Sequence, residues 1–220
     1  MISMISEMVS VPADRLTLSG DFVVPDASRA TVLFVHGVHT SRHNPATQSV
    51  AAELHRAGFG TLAMDLFSET EGRRPEAMGE RRVDIDMLGR RLIAAVDWLK
   101  AQPDTRTLPV ILFAAGAEAA AALTAAAALP DEVSAVVSWA GQPELADAVL
   151  ERIRVPVLFV EGGEDPEDLR SSRRTAERIT GPHAVREVPG ASHRLQEPGA
   201  LDRAAAVIEE WFTEVRRPAP

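Results

Sequence analysis

Residues 110 to 123, reading VILFAAGAEAAAAL, constrain the chain more than any other stretch. A short, unbroken apolar run is the mark of a strand covered on both faces, and the alanine-rich run after it reads as a helix with hardly a polar side. Only Ala114, Ala115, Gly116, Ala117 and Glu118 lie between the two, so the backbone must turn sharply from strand to helix within these small residues. A buried strand running straight into a buried helix needs neighbours all round. That requirement points to a sheet layered between helices.

The rest of the sequence fits the same plan. Residues 8 to 24 alternate apolar and polar across breaks at Pro12-Ala-Asp-Arg and at Gly20, predicting an antiparallel pair at one sheet edge. Residues 30 to 35 form a second continuous apolar run that leads into His36-Gly37-Val38-His39. Asn44 and Pro45 make a helix start, Gly58 a stop, and residues 59 to 64 the next strand. Residues 65 to 84 are rich in Arg, Glu and Gly and predict a long loop. Ile85, Leu88, Leu92, Ala95, Val96 and Leu99 then recur near helical spacing. Further strands are expected at 109 to 114, 133 to 139, 155 to 161 and 184 to 188, with helices beginning near 117, 143, 166 and 199. Strands alternating with helices of this length need crossover connections, hence a mainly parallel sheet.

Composition narrows the class of function. At 220 residues the chain suits one α/β domain, taken here as residues 1 to 220, and the short connection between residues 139 and 155 leaves no room for a cap domain. A formal charge of -9 argues against nucleic acid as a partner, because phosphate binding needs a basic face. The absence of cysteine removes disulfide and thiolate chemistry. The first residues, MISMISEMVSVPADR, lack the basic start and apolar core of a signal peptide, and no run is apolar enough to cross a bilayer. The expectation is a cytoplasmic protein with no membrane partner and a small-molecule substrate; a homodimer is compatible with this reading.

Four motifs in order, HGVHTSRHNP, LFAAGAEAAAAL, VEGGEDPED and PGASHRLQEPG, resemble the dienelactone hydrolase branch of the α/β-hydrolase fold over nearly the whole length. The resemblance implies a single-domain α/β-hydrolase fold: a mainly parallel sheet with an antiparallel N-terminal edge, helices on both faces and no cap domain. It assigns His193 as the catalytic base and Asp165 as the acid that orients it, fixing one imidazole tautomer and stabilising the imidazolium. Glu164 and Asp168 flank Asp165 closely. In the family the strand-to-helix junction is the nucleophile elbow, and Gly116 stands where its serine is expected. Glycine keeps the strained turn and deletes the hydroxyl. The amide of Ala117, with one from Val38 or His39, would still form a site for an enolate or oxyanion.

Several residues keep more than one reading. Glu118 suits the helix dipole as a structural first-turn carboxylate, yet it also fits a cleft acid or base, or a nucleophile in a turn shifted by two residues. His39 fits either a group that polarises a substrate oxygen or a surface histidine, and His36 fits loop packing. Arg42 suits an anionic substrate group or a nearby carboxylate. His36, His39, His193 and Glu118 together suggest a metal only weakly, since no closely spaced ligand pair supports one, and no cofactor is expected.

These residues predict noncovalent acid-base chemistry of cyclase, isomerase or lyase type on a small carbonyl or phenolic metabolite, with catalytic roles for His193, Asp165, Glu118 and His39 and substrate contacts from Gly116, Ala117, Val38 and Arg42. Two rivals are hydrolysis of a small ester or lactone by dyad-activated water, and a catalytically inactive protein that binds a ligand or partner in the old cleft.

Overall fold

The computed structural model describes residues 4–37, 41–72, 84–192, 197 and 199–215. Among the described residues eight strands form one sheet in the order β1-β2-β4-β3-β5-β6-β7-β8. The strands are β1 (Met4–Ala13), β2 (Leu16–Pro25), β3 (Thr31–His36), β4 (Gly60–Asp65), β5 (Val110–Gly116), β6 (Val133–Gly141), β7 (Val157–Gly162) and β8 (His183–Val188). The first two are antiparallel to their neighbours, and β4, β3, β5, β6, β7 and β8 run parallel. The antiparallel edge and parallel body match the sequence reading.

The β1–β2 hairpin turns on Asp14 and Arg15, whose φ values of 46° and 64° make the tight two-residue turn that suits twisted strands. Gly20, expected as a second break, instead lies within β2, opposite Val9 on one side and Met64 on the other. A Cβ there would stand 2.8 Å from Leu62 Cδ1. This glycine permits close packing and makes no turn.

Among the described residues six α-helices flank the sheet: α1 (Pro45–Arg56), α2 (Glu69–Gly72), α3 (Ile85–Ala101), α4 (Glu118–Ala128), α5 (Pro166–Ala176) and α6 (Ala200–Val215). On one face α1 and α6 bury Val50, Leu54, Ala204, Ile208 and Trp211 against Phe34, Phe113 and Trp139. On the other, Leu88, Leu92 and Leu99 of α3 and the alanines of α4 cover Leu33, Leu112, Val136 and Phe159. The small side chains let α4 lie close: a Cβ on Gly89 of α3 would be 3.2 Å from Thr124 Cγ2 of α4. No described helix is long and apolar enough to cross a membrane.

Two connections differ from expectation. The helix expected near 143 is a pair of 3₁₀ turns, Pro143–Ala146 and Leu150–Arg152, because Pro143 and Pro156 confine the crossover to too few residues for a full helix. The loop expected over 65 to 84 contains α2, held by reciprocal bonds in which the Ser68 amide donates to Glu71 Oε2 and the Glu71 amide donates to Ser68 Oγ. Residues 73–83 lie outside the described residues.

Candidate functional site

The carboxyl ends of the parallel strands gather the candidate residues. At the centre β5 passes through Gly116, with φ of 58°, into Ala117, which is already α-helical at φ −67° and ψ −26°, and α4 begins at Glu118. The apex of the turn is therefore residue 116; a turn shifted by two residues does not form. The Gly116 carbonyl accepts from the Gln142 amide at 2.9 Å, fixing the elbow to the end of β6. There the register slips, Gly116 pairing with Gly141 after Ala115 pairs with Trp139, and Ala140 takes up the extra residue at φ 41°. Gly141 is required here, since a Cβ would lie 2.8 Å from Ala119 Cβ in the first turn of α4.

Glu118 does not point away along the helix surface. Its Oε1 lies 1.6 Å from the position a Cβ on Gly37 would occupy, and its Oε2 lies 3.5 Å from that of a Cβ on Gly116. The carboxylate thus fills the space between the end of β3 and the apex of the elbow, and it is half-buried there. The first turn of α4 is electrostatically suited to an anion, and that carboxylate is folded back over the elbow. The glycine at 37 makes the fit; any larger residue would collide with the carboxylate.

The loop leaving β3 is fixed at both ends. His36 is buried, with Nε2 3.1 Å from Thr47 Oγ1 of α1, and burial holds its imidazole pKa below the usual value despite Asp65 nearby. This is the loop-packing role read from sequence. At the far end the Arg42 amide donates to Asp65 Oδ1 at 3.0 Å and its guanidinium to Asp65 Oδ2, while Nε lies 3.4 Å from Asp21 Oδ2. Arg42, expected to contact substrate or a carboxylate of the protein, has two such carboxylates around it. Val38 and His39 lie between these posts and outside the described residues.

Asp165 stands just before Pro166, at the N-cap position of α5, yet its side chain makes no capping bond. Its loop is bound to the one after β8: Gly163 N donates to Val188 O and Glu164 N to Ala191 O, both at 3.0 Å. A Cβ on Gly162 would come within 2.5 Å of Ala191 O and of the Ser192 carbonyl carbon. The chain segment that leads to His193 therefore runs directly across the base of the Asp165 loop. His193 itself lies outside the described residues. Glu164 and Asp168 are exposed. No cluster of three or more potential metal ligands occurs among the described residues.

One group was missed from the sequence. Glu161, at the end of the otherwise apolar β7, is 1% exposed and accepts from Ser172 Oγ of α5 at 2.6 Å. Burial raises its pKa to about 7, the Ser172 bond opposing and the charges of Asp168, Glu144 and Asp165 adding to the rise. The signal was present as a lone acid in VLFVEGG, where the alternation puts residue 161 on the buried face with Phe159.

Comparison with known proteins agrees with this architecture. A dienelactone hydrolase from Anabaena variabilis superposes with a TM-score of 0.90 at 37% identity, covering 96% of this chain and 98% of that one. A dienelactone hydrolase-like promiscuous phosphotriesterase from metagenomic libraries superposes with a TM-score of 0.78 at 21% identity, over 97% and 99% of the two chains, and shares the fold. A Mycobacterium tuberculosis protein carried under the provisional name of phosphoribosyl transferase is 39% identical over 94% of this chain; the chain spans 46%, about half, of that relative's length. The dienelactone hydrolase family matches residues 22–214, and with that extent of agreement the chain belongs to the dienelactone hydrolase family.

Proposed function

We propose that the chain is a small-molecule enzyme that works by noncovalent acid-base catalysis, with Gly116 in place of the serine of a family elbow and Glu118 as a proton-handling carboxylate above it. The observation that carries this reading is the position of the Glu118 carboxylate, against Gly37 and over Gly116. A side chain lacking at 116 cannot form an acyl-enzyme, whereas a carboxylate at the mouth of the elbow can accept and return a proton. His193 and Asp165 form the second proton-handling pair, their loops joined by the bonds from Gly163 and Glu164. Proton removal from a small carbonyl or phenolic compound, leading to cyclisation, isomerisation or elimination, uses both groups.

A second reading follows from membership of a hydrolase family: the same groups activate water for direct attack on a small ester or lactone. Both readings exclude a covalent intermediate at 116. The test is turnover of a panel of small lactones, phenyl esters and enolisable ketones by the wild type, Glu118→Gln and His193→Ala, with fluorophosphonate labelling in parallel. The proposal expects no label on the wild type and at least a ~100-fold loss of turnover in each variant, as for removal of a general acid or base. Undiminished turnover in both variants would sink it. Ester or lactone cleavage without ketone turnover would select the second reading.

A further inference from the structure

We infer that Glu161 and Ser172 form a proton-controlled latch that holds α5, with the Asp165 turn at its head, on the sheet when residue 161 is protonated and lets the helix lift when it is ionised. The device does not depend on the acid-base reading above. Its basis is how little else fastens this helix. The side chains that α5 buries are Ser172, Thr175 and Ala176, small or polar, with Leu169 half-buried, whereas α4 buries Leu123 and six alanines. With so little apolar area under it, α5 owes a large share of its attachment to hydrogen bonds. The Ser171 hydroxyl donates to Glu144 Oε2 at 3.1 Å, but at an exposed position, where such a bond contributes little. The bond from Ser172 Oγ to Glu161 Oε1, at 2.6 Å, is buried at both ends.

Glu161 is 1% exposed, and its Oε2 has no hydrogen-bond partner among the described residues. Ionised, it is a charge stripped of water and held by one bond; protonated, it is neutral and keeps that bond, so the packed position of α5 suits the acid form. Charged groups stand near it on every neighbouring element. Asp165 at the head of α5, Asp168 within it and Glu144 of the 143–146 turn all favour the proton, and Glu187 of β8, paired with residue 161 in the sheet, is exposed. Arg170, Arg173 and Arg174 are exposed on α5, and His193 and Arg194 follow Ser192 outside the described residues. Burial outranks the listed charges in raising the pKa to about 7, so the direction does not turn on their balance. Lifting α5 returns water to Glu161 and its pKa to the ordinary 4.5. The packed form is therefore at full strength below about pH 4.5, weakens about tenfold per pH unit from there to about 7, and levels off above.

Amide hydrogen exchange of the whole chain, read as protection relative to unstructured chain at the same pH, tests the latch. In the wild type the α5 amides are expected to be less protected than those of α3 and α4 and to lose at least about tenfold of their protection between about pH 5 and 8. Glu161→Gln keeps an acceptor for Ser172 and has no charge to gain, so its α5 protection is expected to be level across that range. Ser172→Ala removes the bond that favours the charged form, and its fall is expected to be larger and to end at a higher pH. His193 titrates in all three proteins, so the differences among them isolate residue 161. Equal α5 protection at the two pH values in the wild type, the wild-type fall retained in Glu161→Gln, or no larger fall in Ser172→Ala would overturn the proposal. So would α5 protection equal to that of α3 and α4 throughout, because the helix would then open only when the whole molecule unfolds. Should Glu161→Gln fail to fold, the wild type and Ser172→Ala decide.

Discussion

At residue 37 a single hydrogen in place of a side chain decides where the Glu118 carboxylate can be. Gly37 has no unusual φ, so alanine is conformationally permitted there, but its methyl would overlap Oε1. Gly37→Ala is therefore expected to expel the carboxylate and reproduce the turnover loss of Glu118→Gln while leaving the melting temperature within a few degrees; chemical shifts of labelled Glu118 and a thermal scan would check both. Gly116→Ser tests the elbow from the other side. The new residue must hold φ near 58°, at a cost of about 1 kcal/mol, and its side chain would stand beside Glu118 Oε2. The single variant is expected to give little esterase activity because the carboxylate occupies the space an oxyanion needs. Gly116→Ser combined with Glu118→Gly is expected to exceed it at least about tenfold on p-nitrophenyl acetate and to take a fluorophosphonate label. Equal activity of the single and double variants would show that the carboxylate does not obstruct.

Elements were legible wherever local chemistry and long-range packing agreed. The strand-turn-helix at 110 to 123, the Asn44-Pro45 start of α1 and the Gly58 stop were all apparent because apolar period and end signals coincide in them. Gly20 was misread because a glycine that admits a neighbouring strand looks, in sequence, like a glycine that turns the chain. The helix expected near 143 forms as two 3₁₀ turns, because a connection known to be short leaves less chain between Pro143 and Pro156 than its alternation of strand and helix suggests. Ser68-Glu69-Thr70-Glu71 carried a capping-box signal that the surrounding charge obscured. That small element is tied down by Arg91 of α3, which is 3% exposed and donates to Leu66 O and to both oxygens of Glu71. Burial pushes the Glu71 carboxyl up, but the Arg91 and Ser68 bonds outweigh it and hold the pKa below the ordinary value. Glu71→Ala leaves a buried guanidinium short of partners. A loss of about 2 kcal/mol in urea unfolding is expected, less than for a fully enclosed pair because Glu71 is one-third exposed. Asp84, whose Oδ1 accepts from the Met87 amide at 2.9 Å, is a simpler cap on α3, and Asp84→Ala is expected to cost about 1 kcal/mol.

For the molecule as a whole, the candidate residues follow four separate strands, β3, β5, β7 and β8, and their assembly depends on a sheet whose order sequence pattern alone does not supply. The motif order led to the family and hence the topology; the position of the Glu118 carboxylate and which carboxylates hold Arg42 became visible only with the packed structure. Glu161 also gives the stability of the fold a pH dependence. Its pKa rises from 4.5 to about 7 on folding, so the native state binds the proton more tightly, and the stability this provides is complete below about pH 4.5 and lost as pH rises through 7. Glu161→Gln removes that dependence. Relative to wild type, the variant is expected to gain up to about 3 kcal/mol between pH 4.5 and 8, read from urea midpoints at each pH. His36 and His55, both depressed by burial, act the other way: their contribution is present above pH 6.5 and falls away on acidification in both proteins, so the difference between variant and wild type isolates Glu161.

Gly162 carries the last consequence. Two loops that meet through it with no gap for even one carbon atom are assembled like the jaws of a closed clasp, and the jaws belong to different strands of an otherwise rigid frame. A lone methyl inserted at that seam would wedge the turn after β7 away from residues 191 and 192 by about the width of an atom, so that Gly162→Ala separates two chain segments without emptying the core.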